Sequence, residues 1–189
     1  MSEPNPRPWR ILSSEYRVET KFLRLRADRI ELPSGAVVED YFVRESRGFC
    51  VVFAMTPDEN VLLVRQYKHG AGEIVVELPA GVIDEGETPE RCAVRELAEE
   101  TGFSGSAPEF VRTFYADPTN ATTRFHLFVI RDAVRTSEPS FDITEEIAVE
   151  QASVRDVRAM ALDGRIGSGT QVAAVLVALE HLDRSAVGP

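Results

Sequence analysis

The segment FCVVFAMTPDENVLLVRQY, residues 49–67, is the strongest local constraint on how this chain can fold. Two apolar runs rich in β-branched residues flank four turn-forming positions, Pro57, Asp58, Glu59 and Asn60. Such runs are typical of β-strands, and the residues between them favour a tight turn. The segment therefore predicts a β-hairpin.

The rest of the chain supplies further strands and three helices. Two or three strands are predicted in residues 16–46, with a turn at LPSGAVV, and one more in EIVVELPAG, ended by Pro79 and Gly81. Further strands are predicted at FVRTFYA, RFHLFVIRDA and EIAVEQAS. A helix should begin near Thr88 and Pro89 and end before Gly102. Two more helices are predicted around VRDVRAMAL and TQVAAVLVALEHL.

This order of elements fits an α+β or an α/β sandwich with a mixed β-sheet, and we predict the α+β class. The first forty-odd residues are expected to form a separate small antiparallel sheet. We therefore predict an N-terminal region at 1–45 and a main domain at 46–189.

The composition limits which ligands and which cellular locations are expected. The 189 residues carry a net charge of −10, which argues against a nucleic-acid-binding surface but leaves open a phosphate-bearing small ligand, because metal ions bridge negative groups. The two cysteines, Cys50 and Cys92, form no CxxC pair, so a disulfide framework is not indicated. No apolar run is long enough to span a bilayer, and MSEPNPRPWR lacks the apolar region of a signal peptide. We expect a cytoplasmic protein without membrane partners.

Acidic residues are concentrated in residues 81–103, GVIDEGETPERCAVRELAEETGF. On a helix, Glu96 and Glu100 share one face, Glu99 lies at its edge, and like charges at this spacing repel. Arg95 can pair with Glu99 and relieves part of the repulsion. Charge alone favours a solvated acidic face. The alternative is a divalent-cation site, and Mg²⁺ prefers oxygen ligands of this kind.

The spacing within this stretch resembles the signature of the Nudix hydrolases at every specified position, namely Gly81, Glu87, Arg95-Glu96-Leu97, Glu99-Glu100 and Gly102-Phe103. The preceding LLVRQYKHGAGEIVVELPAG, Pro118 sixteen residues after Gly102, and the later EEIAVEQASVRDVRAMALDGRI resemble the ADP-ribose pyrophosphatase branch. The resemblance implies the Nudix-type α/β/α sandwich. It covers roughly residues 10–183.

The resemblance implies the following roles. Glu96, Glu99, Glu100 and the carbonyl of Ala80 would hold Mg²⁺, with Mn²⁺ as an alternative, Arg95 would orient the carboxylates, and Glu87 would stabilise the loop before the helix. The general base would be Glu145, with Glu146 as the nearest alternative, although both are also compatible with a solvated loop. The substrate-binding candidates are Arg65, Lys68, Pro118 and Arg124. A homodimer is also implied.

Two departures bear on the substrate. Around Pro118 the chain has Asp117 and Thr119 where the branch has serine and glycine, and no carboxylate follows before Phe125. Lys68 stands where the branch commonly has arginine, and lysine lacks the bidentate fork for phosphate. In the N-terminal part, Trp9 and Tyr16 are candidates for base stacking.

The resulting prediction is a Mg²⁺-dependent pyrophosphatase for a nucleoside diphosphate sugar, with ADP-ribose cleaved to AMP and ribose 5-phosphate. The alternatives are another sugar nucleotide, such as GDP-mannose or ADP-glucose, and a non-catalytic nucleotide-sugar-binding regulator.

Overall fold

A computed structural model of the chain describes residues 5–21 and 23–187. Residues 1–4, 22, 188 and 189, which the predicted division into 1–45 and 46–189 includes, lie outside the described residues. The strands are β1 Arg10–Glu19, β2 Arg24–Glu31, β3 Val37–Glu45, β4 Phe49–Ala54, β5 Asn60–Lys68, β6 Glu73–Glu77, β7 Ala80–Val82, β8 Phe103–Ser104, β9 Glu109–Tyr115, β10 Arg124–Ile130, β11 Val134–Arg135 and β12 Ile147–Ser153. The helices are α1 Pro89–Thr101, α2 Val154–Asp163 and α3 Gly169–Val187.

Within the described residues the strands form four sheets. Their orders are β1-β2-β3, β7-β4-β10-β9, β12-β5-β6 and the short pair β11-β8. The sheet that contains β4 is mixed, because β4 runs parallel to β10 and antiparallel to β7. β1, β2 and β3 pair antiparallel. The predicted α+β class, with a mixed sheet and a small antiparallel N-terminal sheet, is therefore confirmed.

The predicted hairpin at residues 49–67 is wrong in its pairing. Both strands and the turn form, with Glu59 in the left-handed region at φ 59° and Thr56 N–H donating to the carbonyl of Asn60. Beyond one bridge between Met55 and Val61, however, β4 and β5 separate into different sheets. Both apolar runs are buried on both faces. Each strand can therefore lie inside its own sheet, and the turn alone does not decide the partner.

The strand predicted at EIVVELPAG is interrupted. β6 ends at Glu77, and after Leu78 and Pro79 the chain resumes as β7, in which Gly81 pairs with Cys50 of β4. Proline has no N–H to donate to a neighbouring strand, so Pro79 interrupts the strand between β6 and β7. Gly81 is therefore a strand residue and not a terminator.

Helix α1 begins and ends where the sequence predicts. Thr88 caps the helix by accepting a hydrogen bond from Arg91 N–H, Pro89 occupies the first turn, and Gly102 ends the helix at φ 75°. Glycine adopts this left-handed conformation without the steric cost of a Cβ. The side chain of Ser153 caps α2 in the same way by accepting from Asp156 N–H.

The core of the main domain lies on both faces of β4. Its residues Cys50, Val52 and Ala54 pack with Cys92, Ala93 and Leu97 of α1, and all are buried. The alternate residues of β4 point to the opposite face, on which α3 contacts β4 and β10. Helices thus cover this sheet on both sides, as predicted for a sandwich.

The contacts between residues divide the chain into two compact units. One comprises residues 1–47 and 115–123, and the other comprises 48–114 and 124–189. In the first unit, segment 115–123 is attached to β3, since Arg44 N–H donates to the carbonyl of Asn120 and Tyr41 Oη–H to that of Thr119. The predicted division into 1–45 and 46–189 stays a prediction.

None of the helices in the described part of the chain has the length and apolar character needed to cross a membrane. The cytoplasmic location stays a prediction.

Candidate active site

The site is built on the inner face of α1. The helical spacing places Glu96 and Glu100 side by side on that face, and they are only 8% and 2% exposed. Glu99 lies at the edge with its side chain about half exposed. Two carboxylates are thus buried together, an arrangement that costs free energy unless positive charge or protons compensate it.

Arg95 is the centre of a charged network. Its Nη1 donates to Glu96 at 2.7 Å and to Glu99 at 2.9 Å. Its Nε and Nη2 contact the two carboxylate oxygens of Glu87 at 2.9 and 2.8 Å, and Nη2 also donates to the carbonyl of Val82. The planar guanidinium therefore joins the loop before α1 to the helix itself. The predicted pairing of Arg95 with Glu99 is one of three ion pairs.

Glu87 stays ionised because of this network. The hydrogen bonds from Arg95, together with one from the N–H of Asp84, lower the pKa of Glu87 to about 2. The three carboxylates raise the pKa of Arg95 above its ordinary value. Glu87 thus fixes the loop before the helix, in line with the supporting role that the sequence predicts for it.

Glu100 has much less compensation. Its Oε2 accepts one hydrogen bond, from the N–H of Ala80 at 2.9 Å. Burial raises the pKa of Glu100 to about 8, an effect that Ala80 and Lys68 offset only in part. Burial also raises the pKa of Glu96, against the influence of Arg95. These two carboxylates carry the strongest demand for additional positive charge in the site.

Gly81 lies directly against the carboxylate of Glu96. A Cβ at this position would stand 1.9 to 2.2 Å from the carboxylate carbon and oxygens of Glu96. Any residue larger than glycine would therefore displace Glu96 or the strand. The close approach explains why a glycine is needed in β7 although its backbone pairs regularly with β4.

The donor set fits a hard divalent cation by its chemistry. Its members are carboxylates and, at Ala80, a neighbouring backbone carbonyl, which are the ligands that such ions prefer. Within residues 5–21 and 23–187, however, no three His, Cys, Asp or Glu side chains are already grouped to hold a metal ion. Arg95 holds Glu96 and Glu99, and the N–H of Ala80 holds Glu100. An ion would have to take over part of these contacts.

The two candidates for the general base, Glu145 and Glu146, lie in the loop before β12 and have different surroundings. The charge of Glu145 contributes to the raised pKa of both Glu96 and Glu100, so this residue lies near them. The side chain of Glu145 accepts a hydrogen bond from Asp142 N–H at 3.0 Å. Glu146 is exposed instead in a cleft of about 320 Å³ together with Arg65. The electrostatic influence of Glu145 on Glu96 and Glu100 favours it over Glu146, and the choice of the general base stays a prediction.

The predicted substrate-binding residues have the following neighbours, and their roles stay a prediction. Lys68 lies 3.6 Å from Glu77, and its charge lowers the pKa of Glu100 against the effect of burial. Arg65 is turned to Glu150, to which it donates at 2.6 Å. Arg124 is exposed at the first position of β10. Pro118 lies in segment 115–123, which belongs to the N-terminal unit.

Two residues near the site were not predicted from the sequence. Glu77 is largely buried beside Lys68, and the alternation of β6 could have indicated that it faces the same side as Val75. Gln171 is a buried polar residue of α3 that contacts the chain just before Ala80. Its signal in the sequence is a glutamine within an otherwise apolar helical stripe.

Two family profiles match the chain. The NUDIX domain profile matches residues 45–171, and the profile of the nucleoside diphosphate sugar hydrolase N-terminal domain matches residues 9–43. The chain therefore belongs to the Nudix hydrolase family. The match confirms the resemblance that residues 81–103 show to the Nudix signature, and it identifies the chain as a hydrolase. Nudix hydrolases generally use divalent metal ions, in agreement with the donor set.

Individual relatives support the same assignment. An ADP-ribose pyrophosphatase of Bacillus subtilis is 28% identical over 148 residues, or 78% of this chain and 80% of the relative. A methanol dehydrogenase activator of Bacillus methanolicus is 30% identical over 149 residues, or 76% and 80% of the two chains. Among solved structures, an ADP compounds hydrolase superposes with a TM-score of 0.83 at 19% identity, covering 96% of this chain and 98% of that one. At this identity the superposition shows the shared fold alone.

Proposed function

We propose that this protein hydrolyses the pyrophosphate bond of a nucleoside diphosphate sugar in the presence of Mg²⁺, with ADP-ribose as the preferred substrate and AMP and ribose 5-phosphate as products. The observation that carries the proposal is a pair of buried carboxylates, in which Glu96 lies against Gly81 and Glu100 accepts from the N–H of Ala80, with burial raising the pKa of Glu100 to about 8. The match of residues 9–43 to a nucleoside diphosphate sugar hydrolase domain supports the substrate class.

Glu96, Glu99, Glu100 and the carbonyl of Ala80 would hold the Mg²⁺ ion, and Mn²⁺ has the same preference for oxygen ligands. When bound, Mg²⁺ supplies Lewis-acid stabilisation of the charge on the two phosphoryl groups. An ion at this place would also balance the negative charge of the two buried carboxylates.

Arg95 acts on the carboxylates and not on the substrate. It is anchored to Glu87 by two hydrogen bonds and holds Glu96 and Glu99 from one side. The fixed guanidinium restricts the rotamers of both carboxylates, so they need little reorganisation when a cation enters. Lys68 keeps a positive charge near Glu100 and would face the phosphates as a single charge without a fork.

Glu145 is the proposed general base. Its charge acts on Glu96 and Glu100, which supports its placement beside the carboxylate site, where a general base must come within hydrogen-bond distance of the attacking water. In the described geometry Oε2 of its carboxylate accepts from Asp142 N–H, and a carboxylate has further lone pairs that can accept from the attacking water. The exposed position of Glu146 beside Arg65 favours Glu145 further.

We further propose that the protein acts as a homodimer through its N-terminal sheet. In that unit large apolar side chains are exposed, among them Trp9, Ile11, Tyr16 and Phe42. Large apolar side chains that are exposed in a single chain are candidates for an interface. Light scattering should give the mass of two chains, and a monomeric mass would refute the proposal.

A substrate panel tests the proposed function. The purified protein is incubated with ADP-ribose, ADP-glucose, GDP-mannose and a dinucleotide, each with Mg²⁺ and with EDTA, and the products are identified by mass. We expect AMP and ribose 5-phosphate from ADP-ribose with Mg²⁺ alone. Faster cleavage of another sugar nucleotide would reassign the substrate within the class, and cleavage of the dinucleotide alone would refute it.

A further inference from the structure

Helix α3 carries one polar residue within its buried stripe. Gln171, Ala174, Val175, Ala178 and Leu179 are all buried and recur at the spacing of a single helical face. Gln171 is 3% exposed, so its amide group is removed from water. A buried amide is tolerated only where both of its ends find hydrogen-bond partners.

Both ends of the Gln171 amide are bound to one residue. Its Oε1 accepts from the N–H of Leu78 at 3.0 Å, and its Nε2 donates to the carbonyl of Leu78 at 3.4 Å. Leu78 follows the end of β6 and precedes β7, so it belongs to neither strand. The glutamine side chain thus pairs with the backbone here much as a neighbouring strand would.

The same short segment is held from three directions. Gln171 of α3 binds Leu78, the N–H of Val52 in β4 donates to the carbonyl of Pro79, and the N–H of Ala80 donates to Glu100 of α1. Three successive residues are therefore fixed by three separate elements of the main domain. The last of these residues is Ala80, the backbone member of the carboxylate site.

We propose that Gln171 is a positioning residue of the metal site, which acts through the Leu78 backbone to fix where Ala80 and Gly81 meet the carboxylates. The inference rests on the proposed function in so far as Ala80 is a metal ligand. It adds a residue from α3, 93 positions away from Leu78 along the chain, to a site that is otherwise built from β7 and α1.

The physical reason lies in the nature of a backbone ligand. A carboxylate can adjust by rotating its side chain, whereas a carbonyl moves only with its strand. Mg²⁺ requires ligands at about 2.0–2.1 Å in near-octahedral geometry, so a small displacement of the strand weakens binding. Without Gln171 the N–H and carbonyl of Leu78 would be buried without partners, and the segment would shift to satisfy them.

Gln171→Met tests the inference, because methionine matches the length and helix propensity of glutamine but offers no amide. The matched control is Val175→Ala, one turn further along the same buried stripe. The first measurement is the dissociation constant for Mg²⁺, determined by calorimetry without substrate. The second is the hydrogen-exchange rate of the Leu78 and Ala80 amides, followed by NMR.

We expect the Mg²⁺ dissociation constant of Gln171→Met to rise about tenfold or more, as is common when a residue behind a metal ligand is lost. Exchange of both amides should accelerate, whereas Val175→Ala should retain wild-type values for both measurements. A dissociation constant equal to that of the control would overturn the inference. If Gln171→Met does not fold, Gln171→Asn takes its place, because its side chain is one carbon too short to reach Leu78. A Mg²⁺ dissociation constant of Gln171→Asn equal to that of the control would then overturn the inference.

The two proposals fail in different ways. A wild-type protein that binds Mg²⁺ but hydrolyses no sugar nucleotide would refute the proposed function and leave the role of Gln171 intact. An active wild type whose Gln171→Met variant binds Mg²⁺ normally would refute the role of Gln171 alone.

Discussion

Glu100→Gln should make the metal-free protein more stable at alkaline pH while it removes the activity. Glu100 is 2% exposed, and burial raises its pKa from 4.5 to about 8. The folded state therefore holds a proton that the unfolded chain releases near pH 4.5. By linkage, this favourable contribution to folding is complete below pH 4.5 and is lost as the pH rises towards 8.

The size of the effect follows from the two pKa values. At about 1.4 kcal/mol per pH unit, the raised pKa of Glu100 lowers the free energy of unfolding by about 4 to 5 kcal/mol at pH 8.5 and by about 1 to 2 kcal/mol at pH 5.5. Glutamine carries no charge, and its Oε1 can still accept the hydrogen bond from Ala80 N–H. The variant should therefore gain stability over wild type, and the gain should grow by about 3 kcal/mol between these two pH values.

Urea denaturation in the presence of EDTA, at pH 5.5 and 8.5, measures this gain. Glu99→Gln is the control, since its half-exposed side chain loses one solvent-screened ion pair with Arg95 and should change stability by about 1 kcal/mol or less at both pH values. Added Mg²⁺ should stabilise the wild type and not Glu100→Gln, because a ligand stabilises the state that binds it. The reasoning is refuted if Glu100→Gln is no more stable than wild type at pH 8.5, or if its gain does not grow with pH.

Four further variants probe the site. Glu145→Gln should lower kcat about 100-fold or more with little change in substrate affinity, and a larger loss in Glu146→Gln would move the base to the neighbouring residue. Gly81→Ala should lower activity about 100-fold with a folded structure retained by circular dichroism, because the new Cβ would collide with Glu96; full activity would show that β7 can yield. Arg95→Lys keeps the charge but loses the fork, so kcat should fall about 10-fold or more, and an unchanged kcat would make charge alone sufficient.

The sequence predicts the helix of the site and the spacing of its carboxylates well. Thr88, Pro89 and Gly102 act through the backbone of their own neighbours, so the limits of α1 depend on local chemistry. The four-residue interval between Glu96 and Glu100 fixes that they share a face in any α-helix. The family signature adds Glu87 and Gly81 to this unit, and both lie beside it in the structure.

The predictions that depend on distant contacts succeed less well. The turn at residues 57–60 forms as predicted, yet β4 and β5 enter different sheets, because the pairing of a strand depends on packing across the whole core. Within LLVRQYKHG, Lys68 pairs with Glu77 and Arg65 pairs with Glu150. The roles of both residues in substrate binding stay a prediction.

The sequence by itself therefore determined the position of α1, the cluster of carboxylates that it presents and the family to which the chain belongs. Only the tertiary structure decided that Glu100 is buried deeply enough to raise its pKa to about 8, and that Gln171 of α3 holds the Leu78 backbone beside the site. The physical reason is the distance along the chain over which each kind of interaction acts. Helix caps and helical spacing act over a few residues, whereas burial and the pairing of buried polar groups depend on elements that meet only in the folded protein.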